Sequence, residues 1–253
     1  MFLQRLSLVC VIAVAAAIAL VAGPRIMAGL ELAESQDTLR RIRGSEQVNY
    51  GAIFEAIDTR RAAAARDPGP RAQAELGELL LTLAALDDPR AQELRPQLAE
   101  EAMAATRAAL VKSPTQPFAW TRYTQALALK TELERAQGAA QAGTVAAVDG
   151  PLSMAIVTGP WQASLVPTRV EMGLYFWYRL SDFTRRLVAG QIFIAARQDP
   201  VALAAVTRRQ NALREVMAIL LAEDDLLQEF TRTYYYTQSI DAEQRGLGQQ
   251  QGQ

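Results

Sequence analysis

Residues 102–120 read AMAATRAALVKSPTQPFAW. Ala102 and Ala109 stand seven residues apart, on one face of a helix, and present only methyl groups there. Proline forces the residue before it out of the α region, so Ser113-Pro114 ends this helix. Trp120 follows Pro114 by six residues, on the next helix. Small residues let two helices approach closely, and a large aromatic on the following helix can fill the groove they leave. The stretch therefore specifies helix, sharp turn, helix.

The same punctuation recurs outward from this point. Asp67-Pro68, Asp88-Pro89, Gly159-Pro160 and Asp199-Pro200 break the chain in similar fashion. Pro68, Pro114 and Pro160 are spaced by 46 residues and Pro200 by a further 40, intervals that suit a helix-pair module. Between the breaks the periodicity predicts helices over 31–66 with an interruption near Gly44, then 71–86, 97–112, 117–134, 168–180, 182–198, 200–222 and 223–236. Asp149-Gly150-Pro151 restarts or kinks a helix. In 200–222 Leu203, Val206, Leu213, Met217 and Leu220 form a buried face. No alternating strand pattern of useful length appears, so the fold class is all-α. The tail from Gly246, GLGQQQGQ, is too polar to pack.

Half of the 253 residues are hydrophobic, enough for a real core, and much of that half is alanine. Net charge is −1, which gives no field for a polyanion and makes nucleic acid a poor partner. The chain has no histidine, which removes Ser-His-Asp and Cys-His catalysis and HExxH metal sites. Its one cysteine, Cys10, rules out an intramolecular disulfide and any zinc site using several thiolates. There is no glycine-rich phosphate loop. No catalytic residue, cofactor site or metal site is expected.

Residues 6–23, LSLVCVIAVAAAIALVAG, carry no charge, and as a helix they would span about 27 Å, close to a bilayer's hydrocarbon thickness. We read them as a transmembrane signal anchor after a cytoplasmic leader at 1–5. A cleaved signal peptide is the alternative, with Val21-Ala22-Gly23 a poor cleavage site ahead of Pro24. Cys10 lies too close to Arg5 to be a lipidated cysteine. Arg25, Arg40, Arg41 and Arg43 follow the segment, and their count alone favours a cytoplasmic domain. The short leader and the charge-independent translocation of long domains favour the other side. The expectation is a single-pass inner-membrane protein with a periplasmic domain. The remaining boundaries are an N-terminal helical region at 24–96, a helical domain at 97–238 and a disordered tail at 239–253.

The junction at 102–120 resembles that of a tetratricopeptide repeat. Ala136 falls where the next small residue would come, but the proline expected near 148 is missing. The order of hydrophobic segment, Ala109-Leu110 with Ser113-Pro114 and Trp120, then LSMAIVTGPWQASLVPTRVEMGLYFWYRL at 152–180, then a helix ending Arg197-Gln198-Asp199-Pro200, has a wider likeness. Over residues 97–222 it resembles VpsP-type polysaccharide biosynthesis proteins and the tetratricopeptide tails of polysaccharide polymerases and ligases. The resemblance implies a right-handed array of helical hairpins and an inner-membrane accessory role in surface polysaccharide production. It implies no reaction.

The function expected is therefore a non-enzymatic module that binds envelope or polysaccharide-assembly proteins along the groove of an array. Trp120, Arg122 and Tyr123 lie on the helix that would line that groove, and Tyr234 and Tyr235 in the cluster 234–236 suit an interface. Tyr175-Phe176-Trp177-Tyr178 and Trp161 are compatible with a glycan contact, although Val170, Leu174 and Trp177 make an ordinary buried stripe. Arg185-Arg186 and Arg208-Arg209 could form a basic patch, or simply a solvated face. Glu223-Asp224-Asp225 suits a helix N-terminus better than a metal. The alternatives are a structural subunit of another envelope complex, or a glycan-active enzyme using two carboxylates.

Overall fold

The computed structural model describes residues 14–20, 22–23, 26–30, 32–33, 35–44, 46–66, 69–138 and 147–250, with side chains as far as Ser239. Among these residues every regular element is helical and there is no strand. The chain divides into two compact units, Met1–Pro114 and Thr115–Gln253.

In the first unit α1 is Gln36–Arg43, α2 Tyr50–Arg66, α3 Pro70–Ala84 and α4 Pro89–Lys112. They pack in sequence order, α1 on α2, α2 on α3 and α3 on α4. The last contact is the closest, because Gly77 faces Thr106: a Cβ at Gly77 would overlap the Thr106 methyl. Ala102 and Ala109 are fully buried in α4, as their spacing suggested. The helix itself begins at Pro89, eight residues earlier than expected, and runs through Pro96. Asp88 supplies the start, accepting the Arg90 N–H at 2.9 Å, and Pro89 fits the first turn where its missing N–H costs nothing.

The second unit holds α5 (Pro117–Ala136), α6 (Asp149–Val157), α7 (Val166–Tyr175), α8 (Asp182–Gln198), α9 (Pro200–Arg209), α10 (Leu213–Leu220) and α11 (Asp224–Gln250). Each helix from α5 to α9 packs on the next one and on the next but one, and α10 packs on α11. The core they share is built from Leu152, Val170, Phe176, Ile192, Val216 and Phe230, among others. Gly173 of α7 presses on Val188 of α8 as Gly77 does on Thr106.

Three further predicted helices differ from those observed. Residues 200–222 are not one helix. Asn211 adopts a φ of 50°, and Ala212 donates its N–H to the Thr207 carbonyl at 3.0 Å, closing α9 before α10 starts at Leu213. The buried stripe survives the break, with Leu203, Val206 and Leu220 fully inside and Leu213 and Met217 partly so. The helix expected over 168–180 ends at Tyr175 and gives way to a 3₁₀ turn at Trp177–Arg179. Phe176, rather than Trp177, becomes the buried aromatic there. The final helix runs to Gln250, beyond the 223–236 expected.

Of the anchor expected at 6–23, residues 14–20 and 22–23 are described and are helical, while 1–13, including Cys10 and the leader, lie outside the described residues. Among the described residues no helix is long and apolar enough to cross a membrane. The expected helical domain at 97–238 takes in most of α4, which packs on α3 within the first unit.

Candidate functional site

The segment Thr158–Arg169, from the end of α6 into the first turns of α7, gathers unusual chemistry for the second unit. Thr158 closes α6 by donating its hydroxyl to the Met154 carbonyl at 2.7 Å. Gly159 then passes so close to Pro117 that a Cβ would lie 2.7 Å from the proline ring. Only glycine fits there. Pro160 follows, Trp161 stands out into solvent at 79% exposure, and a 3₁₀ turn at Ala163–Leu165 leads into α7.

Arg169 holds this segment from beneath. Its side chain is fully buried, with Nη1 donating to the Gly159 carbonyl at 2.8 Å and to Gln191 Oε1 at 3.4 Å. Nε donates to the Thr121 hydroxyl at 3.4 Å. Gln191, also buried, donates Nε2 to the Pro160 carbonyl at 2.9 Å. The two side chains thus clamp consecutive carbonyls of one loop. None of the acceptors is charged, and Nη2 has no partner among the described residues. Burial without a counter-ion pulls the guanidinium down to about 10.

Arg60 in the first unit is the contrasting case. It too is fully buried, but it pairs with Glu75 and donates to the Leu32 carbonyl at 3.3 Å and to Gln36 at 3.2 Å. Glu75 also accepts from Arg71 at 3.1 Å, and neighbouring Glu78 pairs with Arg43 at 2.6 Å. Desolvation lowers the Arg60 pKa and the Glu75 carboxylate opposes that shift. This cluster is an ion-paired strut tying Leu32 and Gln36 to α2 and α3.

Beside the clamp, a cavity of about 230 Å³ opens between α7, α8 and α9. Val166, Val170, Leu203 and Val206 form its buried base, and Gln198 and Asp199 are its only polar lining residues. Asp199 Oδ1 caps α9 by accepting the Ala202 N–H at 2.8 Å.

No protein-family model, curated protein or solved structure matches this chain.

The residues expected to bind a partner fall into two separate groups. Trp120 and Tyr123 are half-buried on α5, edge to face with ring centres 6.3 Å apart. Arg122 lies over the Phe118 ring at 4.7 Å and donates to Gln125 at 2.7 Å. On α11, Tyr234 is half-buried between Phe230 and Arg208, while Tyr235 and Tyr236 are more than half exposed. Helix α5 packs on α6 and α7, whereas α11 packs on α8, α9 and α10, so the groups belong to different parts of the packing order.

The arginine pairs are mostly accounted for by local partners. Arg185 bonds Asp182, Arg209 pairs with Glu171 at 3.0 Å, and Arg208 donates to Thr237 at 2.6 Å. Glu223 pairs with Arg197 at 2.6 Å, and Asp224 and Asp225 occupy the first turn of α11. Among the described residues no cluster of acidic side chains could hold a metal ion. Arg169 and Gln191 were not singled out by the sequence reading. The signal was present: Arg169 shares a stripe with Val166, Val170 and Gly173, and Gln191 with Val188, Ile192 and Ala195. A polar residue in a core register has to find buried partners.

Proposed function

We propose that this protein is a non-enzymatic docking module, built as a tetratricopeptide-like, right-handed array of helical hairpins. The observation that carries this reading is the packing order of the second unit, where successive helices contact the next and the next but one. Arrays of that kind bury a continuous core between neighbours and leave an extended surface for a partner. The buried polar side chains fit the same reading, since Arg169 and Gln191 are spent on holding a loop.

The partner is another envelope protein, and the pathway is assembly of a bacterial surface polysaccharide. That part rests on the resemblance of residues 97–222 to VpsP-type proteins. Residues 6–23 anchor the chain in the inner membrane, with the helical units on the periplasmic side. Trp120, Arg122 and Tyr123 supply one contact surface; Tyr234 and Tyr235 supply another.

Cross-linking and affinity capture from membranes of the native host test this. The full chain retains a defined partner set, and Arg122→Glu with Tyr123→Ala, or Tyr234→Ala with Tyr235→Ala, removes members of it while the helical signal is unchanged. An identical partner set from both double variants and the parent chain would overturn these contact surfaces. Normal surface polysaccharide after deletion of the gene would overturn the pathway.

A further inference from the structure

The cavity beside α7 is kept open by the residues that line it. Ala163, Ala195 and Ala202 offer single methyl groups where leucine would fill the space, and Pro167 adds a compact ring. The result is a pocket open to solvent on the side of Ala163, Pro167, Gln198 and Asp199 and floored by buried aliphatic side chains. Dry apolar cavities of about 150 Å³ take up benzene. At about 230 Å³ this one has room for a ring with a short chain.

The polar lining is confined to the α8–α9 corner. Gln198 and Asp199 are both exposed there. The Asp199 carboxylate makes one hydrogen bond, to the Ala202 N–H, and has no arginine or lysine paired with it among the described residues. An apolar base with a single negative charge at the corner is complementary to one class of ligand.

We propose that this pocket binds a small apolar molecule with a cationic end, the body among Val166, Val170, Leu203 and Val206 and the cation at Asp199. A hydrogen bond between ions of opposite charge is the strong kind, and its placement beside an apolar wall gives selectivity between otherwise similar molecules. This site is independent of the partner surfaces on α5 and α11, so either can fail without the other.

The probe is 2-phenylethylamine, with 3-phenylpropionate as its anionic counterpart, titrated into the full chain by calorimetry. Saturable binding of the amine is expected, at least tenfold tighter than the carboxylate. Asp199→Asn retains an oxygen for the α9 cap and brings the two probes to within about twofold. Ala202→Phe fills the cavity and abolishes amine binding. Ala163→Leu, on the exposed rim, repeats that test if the phenylalanine variant does not fold. No saturable amine binding, equal affinity for both probes in the parent chain, or undiminished binding in the filled variant would each overturn the proposal.

Discussion

Arg169 is costly to bury, because a cation without a counter-ion depends on neutral acceptors for its donors. Three neutral acceptors take Nε and Nη1 while Nη2 stays without a partner among the described residues, and the loop at Gly159-Pro160 is what the bonds hold. Arg169→Lys keeps the charge but cannot reach three acceptors in a fork. It should destabilise the second unit by about 2–4 kcal/mol, measured by chemical denaturation. Gln191→Leu leaves the Pro160 carbonyl unpaired and should cost about 1–3 kcal/mol. The pH dependence has a definite sign. The folded pKa of Arg169 is lowered, to about 10, so above that value the unfolded state binds the proton more tightly and folding gains as pH rises. Below it both states are protonated. The stability gap between the parent and Arg169→Met should therefore stay flat from about pH 6 to 9 and grow in the parent's favour above about 10. A gap that changed across the neutral range would exclude this source. Legibility at this scale was uneven. The absence of histidine could be read at once, whereas Arg169 needed its register compared with that of its apolar neighbours.

Helix boundaries follow from the same local chemistry, and here proline and asparagine act differently. Asp88-Pro89 and Asp199-Pro200 were legible as breaks, and both also start helices, with each aspartate accepting an N–H of the first turn. That double role is why α4 begins eight residues early. The division at Asn211 was not legible, because the apolar spacing of 200–222 continues across it and a left-handed asparagine leaves no mark on periodicity. Asn211→Gly should be nearly neutral, and Asn211→Val should cost about 1–2 kcal/mol, since a β-branched residue resists positive φ. Thermal melts of the two variants decide the point; equal losses would mean that the conformation is not what matters. The glycine contacts yield a coupled test. Gly173→Ala places a methyl against Val188 and should cost about 1–3 kcal/mol despite alanine's better helix propensity. Combining it with Val188→Ala should recover part of that loss, giving a non-additive double-mutant cycle. Additive costs would show that the two helices can separate freely.

At the scale of the whole molecule, the sequence made the all-helical class legible through its periodicity, its alanine content and its lack of alternation. The division into two units was not legible, because the 102–120 junction reads as continuous repeat while Pro114 is the last residue of the first unit. Local spacing reports which helices follow one another; it does not report where the sharing of a core stops. The strut of Arg60, Glu75, Arg43 and Glu78 offers a way to perturb one unit alone. Arg60→Met leaves Glu75 with only the exposed Arg71 and the longer contact to Arg43, and removing one member of a buried pair costs about 3–5 kcal/mol. Hydrogen exchange followed by mass spectrometry should then show lost protection in α1 to α4 with α6 to α11 unchanged. Equal loss throughout would mean that the units unfold as one cooperative body.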